Sequence, residues 1–263
     1  MKKTSLILAF ALIITGALFG CARRENNEET TPPPEEKRIV YPEPDGEMVV
    51  MLDAGHGFRD IGCDTELMEG TEAEVTIAMA KLVKAELEAR GVRVILTHDG
   101  ESFPSASEVR ALAKKAGVEV KDEDIIDNDI FSAYERGVYA ASVAEREAVD
   151  LFLSLHVNSL PTHPEFSRYE MDYYADNPYA DALGVFCESL AGDLDKETKI
   201  FADVYEEAFL VTKIGTHPSV LIELGYATNE GDAADLNSAQ WRESFAKTLA
   251  ENAALWIASY EEK

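Results

Sequence analysis

Met48 to Leu52 is an unbroken apolar run, the pattern of a strand buried on both faces. A glycine-containing loop follows from Asp53 to about Thr71. From Glu72 to Arg90, apolar residues then fall at Val75, Met79, Leu82, Val83 and Leu87, spacings that share one helix face. Gly91 supplies a stop, and Val92 to Thr97 is the next strand. A strand, helix, strand unit of this kind predicts a parallel pair with a right-handed crossover. Further along, helices are predicted at Ala106–Ala116, from about Phe131 to Ala148, at Pro178–Leu190 and at Ser238–Ser259. Strands are predicted at Leu151–Leu155, Tyr169–Tyr174 and Val220–Ile222. The alternation, without internal repeats, predicts a three-layer α/β/α domain around a mostly parallel or mixed sheet.

The N-terminal pattern is different. Lys2 and Lys3 precede an apolar run from Leu6 to Phe19, of signal-peptide length and short for a membrane span. Leu18-Phe19-Gly20-Cys21 follows at once and resembles the lipobox of bacterial lipoproteins, which implies lipidation of Cys21 after removal of residues 1–20. An ordinary secretory signal or an uncleaved anchor are the other readings, and each of them exports the rest of the chain. Residues 21–46, rich in Glu, Asn, Thr and Pro and containing Pro32-Pro33-Pro34, cannot bury a core and read as a tether. Residues 47–263 are then the folded domain.

Composition narrows the possibilities further. Among 263 residues, 50 are Asp or Glu and 24 are Lys or Arg, a net charge of -26. A surface this acidic repels phosphate backbones and disfavours nucleic-acid binding. Beyond Cys21, only Cys63 and Cys187 remain. Their spacing is not that of a metal site; they could pair outside the cytoplasm, but read better as small apolar residues.

Sites in α/β sheets gather beyond the C-terminal ends of the strands. Those positions hold His56, within Asp53-Ala54-Gly55-His56-Gly57; His156, followed by Val157 and Asn158; and Glu223, followed by Leu224-Gly225-Tyr226. Two of the five histidines thus share one sheet edge with a glutamate. Zinc takes histidine and carboxylate ligands, and a carboxylate that does not bind the metal can move protons. Glu66, Glu69, Glu72 and Glu74 crowd the first helix start, and any of them could complete the ligand set. Asn158 either contacts substrate or orients the His156 loop. His98, His163 and His217 fall outside the pattern. His98 and His163 read as ordinary exposed histidines, and His217 is close enough in sequence to Glu223 to line the cleft. Tyr173 and Tyr174 could wall a sugar or peptide, or simply pack.

Val50-Met51-Leu52-Asp53-Ala54-Gly55-His56-Gly57, Glu72 at a helix start, Leu153-Ser154-Leu155-His156-Val157-Asn158 and Val220-Leu221-Ile222-Glu223-Leu224-Gly225-Tyr226 together resemble the zinc-dependent N-acetylmuramoyl-L-alanine amidases. The likeness runs from about Val49 to Tyr260. It implies that His56, Glu72 and His156 hold one zinc ion and that Glu223 is the catalytic carboxylate. It also implies hydrolysis of the amide between N-acetylmuramic acid and L-alanine in peptidoglycan, by an extracytoplasmic protein held to a membrane through lipid. Ala54 stands where the family usually has proline, Phe58 where it has glycine, and Ala141 where it has asparagine. Residues 99–134 form a longer excursion than the pattern needs. No extra inhibitory helix is evident between Asn158 and Glu223, which suggests an open cleft. These departures motivate two other readings: a non-catalytic wall-binding lipoprotein on the same fold, or a zinc peptidase acting on another exported amide.

Overall fold

A computed structural model describes residues 39–42, 46–126, 130–198 and 202–261. Cys21, the leader and most of the 21–46 tether lie outside the described residues. Six strands form one mixed sheet: β1 (Val49–Ala54), β2 (Arg93–Leu96), β3 (Leu151–Asn158), β4 (Tyr169–Tyr173), β5 (Ala202–Glu206) and β6 (Ser219–Tyr226), in the order β2-β1-β3-β6-β4-β5. β1, β2, β3 and β6 run parallel, while β4 pairs antiparallel to β6 and parallel to β5. The C-terminal ends of β1, β3 and β6 and the start of β4 therefore share one edge.

Helices α1 (Glu72–Glu88), α4 (Ala180–Thr198), α5 (Glu230–Asn237) and α6 (Ala239–Glu261) cover one face of the sheet, and α3 (Ala133–Glu147) covers the other. The strand alternation explains the division. Val50, Leu52, Leu153, Leu155, Val220 and Ile222 point to the first face, and Val49, Met51, Phe152 and Leu221 to the second. On α1 most of the predicted stripe is buried: Val75, Met79, Val83 and Leu87 are all at 2% exposure or less, and Leu82 is half-buried. Burial of each such side chain contributes roughly 1.5–3 kcal/mol. Thr71 caps α1 in a reciprocal pair with Glu74, so the helix begins at Glu72 for a local reason.

The 99–134 excursion has its own small core. It contains α2 (Ala106–Ala116), capped by Ser105 and Glu108 and ended by Gly117 at φ 75°, and a short 3-10 turn at Asp122–Asp124. Val109, Ala113, Ile125 and Phe131 pack with Val138 of α3. Two elements escaped the sequence reading. β5 is short, half exposed and at the sheet edge, and α5 is a two-turn helix lacking an apolar stripe long enough to register. α4 also continues to Thr198, beyond the predicted Leu190.

Candidate active site

The turn after β1 carries His56 through three successive positive φ angles: 65° at His56, 124° at Gly57 and 60° at Phe58. Left-handed backbone at a non-glycine residue costs about 1–2 kcal/mol, and such strain persists only where surroundings impose it. Here they do. Gly55 N donates to Leu155 O at 2.8 Å, tying the turn to β3. The Phe58 ring packs on His98 and Phe103, at centroid distances of 5.3 and 4.4 Å, and Phe103 stacks on Phe131. A side chain at Gly55 is impossible: its Cβ would lie 2.6 Å from His156 Nε2.

Glu72, at the first residue of α1, is 3% exposed. Its Oε1 lies 3.3 Å from His56 Nε2 and 3.1 Å from His156 Nδ1, and accepts from Val157 N at 2.9 Å. Its Oε2 accepts from Cys63 N at 2.9 Å. Gly62, at φ 66°, leaves room for that carboxylate, since a Cβ there would sit 2.5 Å from Oε2. Burial pushes the Glu72 carboxyl up, but the bonds and charges of His156 and His56 outweigh it and hold it well below the usual carboxylate range. The His56 and His156 rings meet edge-on at 5.1 Å. His156 Nε2 is buried with no hydrogen-bond partner. One ligand atom from each of His56, Glu72 and His156 lies within 4.8 Å of the others, the only such cluster of three among the described residues.

Of the competing glutamates, Glu66, Glu69 and Glu74 are exposed, and Glu74 serves the α1 cap. Glu223, on β6, is the register partner of His156 on β3, where the pairing shifts between His156 and Asn158. Its Oε2 is buried without a partner. Burial, then the charges of Glu72, Asp172 and Glu170, raise its proton affinity well above that of an ordinary carboxyl. The strand ends and the start of α1 therefore set three donors together beside a carboxyl that can hold a proton.

Asn158 has its side chain committed within the protein: Nδ2 donates to Glu170 Oε2 at 2.9 Å, and Oδ1 accepts from Ser159 N at 2.8 Å. That geometry is of an orienting residue. His217 lies at the other end of β6, before Ser219, packed edge-on against Phe152; it does not line the cleft. Burial lowers its pKa to about 4. Position in sequence misled because six residues of extended chain span roughly 20 Å. His98 is not an exposed histidine either: it is buried behind the His56 turn, with Nε2 2.7 Å from Ala54 O. His163 is exposed beside Glu165. Tyr173 is buried and Tyr174 bonds the neighbouring Asp176, so neither forms a wall. Cys63 and Cys187 are free thiols, the latter fully buried.

Residues the sequence reading missed surround this centre. Asp53, fully buried, accepts from Thr97 Oγ1 at 2.6 Å, Ser154 Oγ at 2.7 Å and Arg136 Nε at 3.1 Å. Burial pushes its carboxyl up, and Arg136 with the two hydroxyls brings it below its ordinary pKa. Arg136 also donates to Phe131 O at 2.9 Å, joining α3 and the excursion to β1. Glu170, the register partner of Glu223, accepts from Tyr226 Oη and Arg168 Nε, each at 2.6 Å. A buried arginine in an otherwise amphipathic helix is the one signal that could have exposed the Asp53 network.

Residues 50–254 match the family described as N-acetylmuramoyl-L-alanine amidase (Amidase_3). Among curated proteins, the chain is 28% identical over 206 residues to N-acetylmuramoyl-L-alanine amidase LytC of Bacillus subtilis, covering 76% of this chain and 34% of LytC. It thus spans about a third of LytC. It is also 21% identical over 202 residues to the germination-specific N-acetylmuramoyl-L-alanine amidase of the same organism, covering 76% of each. Among solved structures, the amidase AmiC2 of Nostoc punctiforme superposes with a TM-score of 0.57 at 26% identity, over 83% of this chain and 99% of that one. An amidase of Clostridium difficile 630 shares the fold, with a TM-score of 0.58 at 17% identity, over 82% and 98%. The chain belongs to the N-acetylmuramoyl-L-alanine amidase family.

Proposed function

We propose that the protein is a zinc-dependent amidase that hydrolyses the bond between N-acetylmuramic acid and L-alanine in peptidoglycan. The observation that carries this is the meeting of His56, Glu72 and His156 within 4.8 Å, with Glu223 as the next strand's register partner. The donor set fits a metal: two imidazoles and a carboxylate, with His56 Nε2 and His156 Nδ1 converging on Glu72 Oε1. A zinc ion held there would supply Lewis acidity and lower the pKa of water toward neutrality.

The chain's own residues do the rest. Val157 N and Cys63 N fix the Glu72 carboxylate, and Glu72 in turn orients both imidazoles. Glu223 takes the proton of the attacking water at Oε2 and returns it to the L-alanine nitrogen as the amide breaks. Its raised proton affinity suits both halves of that exchange. Residues 47–263 form the catalytic domain. Residues 1–20 direct export, and lipid on Cys21 holds the domain outside the cytoplasmic membrane through the 21–46 tether.

The test is mass-spectrometric product analysis on purified muropeptides with the zinc-loaded protein. Stem peptides with a free L-alanine amine are expected, and Glu223→Gln lowers their release by about 10²–10⁴-fold. A Glu223→Gln protein as active as wild type sinks the mechanism, and cleavage at another bond sinks the substrate. For the anchor, Cys21→Ser is expected to move the protein out of the membrane fraction; unchanged partition refutes lipidation.

A further inference from the structure

Paired residues on neighbouring strands present their side chains to the same face of a sheet. Glu223 pairs with His156 and with Glu170, Glu170 pairs with Asp203, and Asp172 pairs with Tyr205. The face that carries His156 and Glu223 therefore continues sideways across β4 to β5. Strand spacing puts β5 about 10 Å from β6. β5 is the last strand in the sheet, so a polymer lying across this face can run off its edge.

That outer part of the face is organised. Arg168 donates through Nε to Glu170 and through Nη1 to Asp203 Oδ2 at 2.9 Å, and Tyr205 Oη donates to the same oxygen at 2.7 Å. The guanidinium carbon lies 5.3 Å from the Phe166 ring centre and 5.5 Å from that of Tyr205. Both rings are more than a third exposed, at 37% and 36%. Glu170 links this group inward to Asn158 and Tyr226. We infer that Phe166, Arg168 and Tyr205 form a saccharide subsite that seats a neutral N-acetylhexosamine unit of the glycan strand beside the scissile amide.

The chemistry selects a sugar over the peptide stem. Apolar C–H faces of a pyranose match exposed aromatic rings, and its hydroxyls match a fixed guanidinium and carboxylate. A peptide stem carries carboxylates, and this face already holds Glu170, Asp172 and Asp203, in a chain of net charge -26. On the opposite flank, Phe58 packed on Phe103 and His98 bounds the site.

The inference rests on the amidase reading for the kind of polymer, and its test needs no turnover. The full chain is titrated calorimetrically with a peptide-free tetrasaccharide of N-acetylglucosamine and, separately, with a sugar-free L-alanyl-γ-D-glutamyl peptide. The tetrasaccharide is expected to bind. Phe166→Ala and Tyr205→Ala each weaken it by about tenfold, the scale of one aromatic contact, and Tyr205→Phe, which keeps the ring, restores most of the affinity. Peptide affinity is unchanged in all three. No tetrasaccharide binding by wild type, or equal binding by the alanine variants, overturns the subsite. So does loss of peptide affinity in those variants, which would mark a peptide subsite. Ring-dependent sugar binding by a protein that cleaves no amide leaves the subsite standing and removes the amidase.

Discussion

Both oxygens of Glu72 are engaged, and the two imidazoles beside it are held from the side of the carboxylate. Across β6 and β4 the carboxyls differ from that of Glu72: Glu223 Oε2 and Asp172 Oδ2 are buried with no partner. A buried polar atom without a partner costs about 1–3 kcal/mol, so a fold tolerates such atoms where they have another use. The braced trio behaves as a fixed template. Burial, reinforced by neighbouring carboxylates, raises the proton affinity of both carboxyls across the sheet.

The sharpest way to break this contrast is to mutate one carboxylate on each side. Glu72→Gln replaces the carboxylate of the proposed ligand trio and leaves two imidazoles with an amide between them. Zinc affinity, measured by competition with a chelator, is expected to fall by at least about 100-fold, and activity with it. Glu223→Gln is expected to bind zinc as tightly as wild type while losing turnover. Loss of zinc in both variants, or in neither, would mean that the two sides do not differ in role.

How far the sequence announced this division is clear from individual residues. His56, His156 and Glu223 were legible because strand ends converge at one edge of an α/β sheet. Glu72 was separable from Glu66, Glu69 and Glu74 only through the family pattern, since all four sit near one helix start; the fold separates them by burial. Asp53, Arg136 and Glu170 were not legible. Their partners lie 83 residues away for Arg136 with Asp53 and 56 for Tyr226 with Glu170, and no periodicity encodes a long-range hydrogen bond. The misplacement of His217 has another origin: six residues of extended chain put it roughly 20 Å from Glu223.

A second prediction sharpens the uncommitted side. Asp172 is 2% exposed, and burial, then the charges of Glu170 and Glu207, raise its pKa to about 7 against the partial relief of Arg168. Glu223 and Cys187 also face it. Because the folded-state pKa is above the unfolded value, the folded protein binds the extra proton between about pH 4 and 7. Stability is therefore lost as pH rises through that window, by up to about 4 kcal/mol. Asp172→Asn removes the ionisation. Urea unfolding midpoints of variant and wild type are expected to coincide near pH 4 and to diverge by pH 8, with the variant more stable. Equal midpoints at pH 8 would show that the carboxyl is not held protonated.

The smallest effect concerns the braced side. Phe58 sits at φ 60°, where the family pattern has glycine, and its ring is fastened to Phe103 of the excursion. Phe58→Ala loses the ring and keeps the strain, whereas Phe58→Gly loses the ring and relieves it. The glycine variant is therefore expected to be the more stable of the two by about 1 kcal/mol, measured by chemical denaturation. If the ring also steadies the His56 turn, Phe103→Ala will loosen zinc binding from a position outside the ligand trio, and adding it to Phe58→Ala will bring little more. Fully additive losses would mean that the excursion packs beside the turn without holding it.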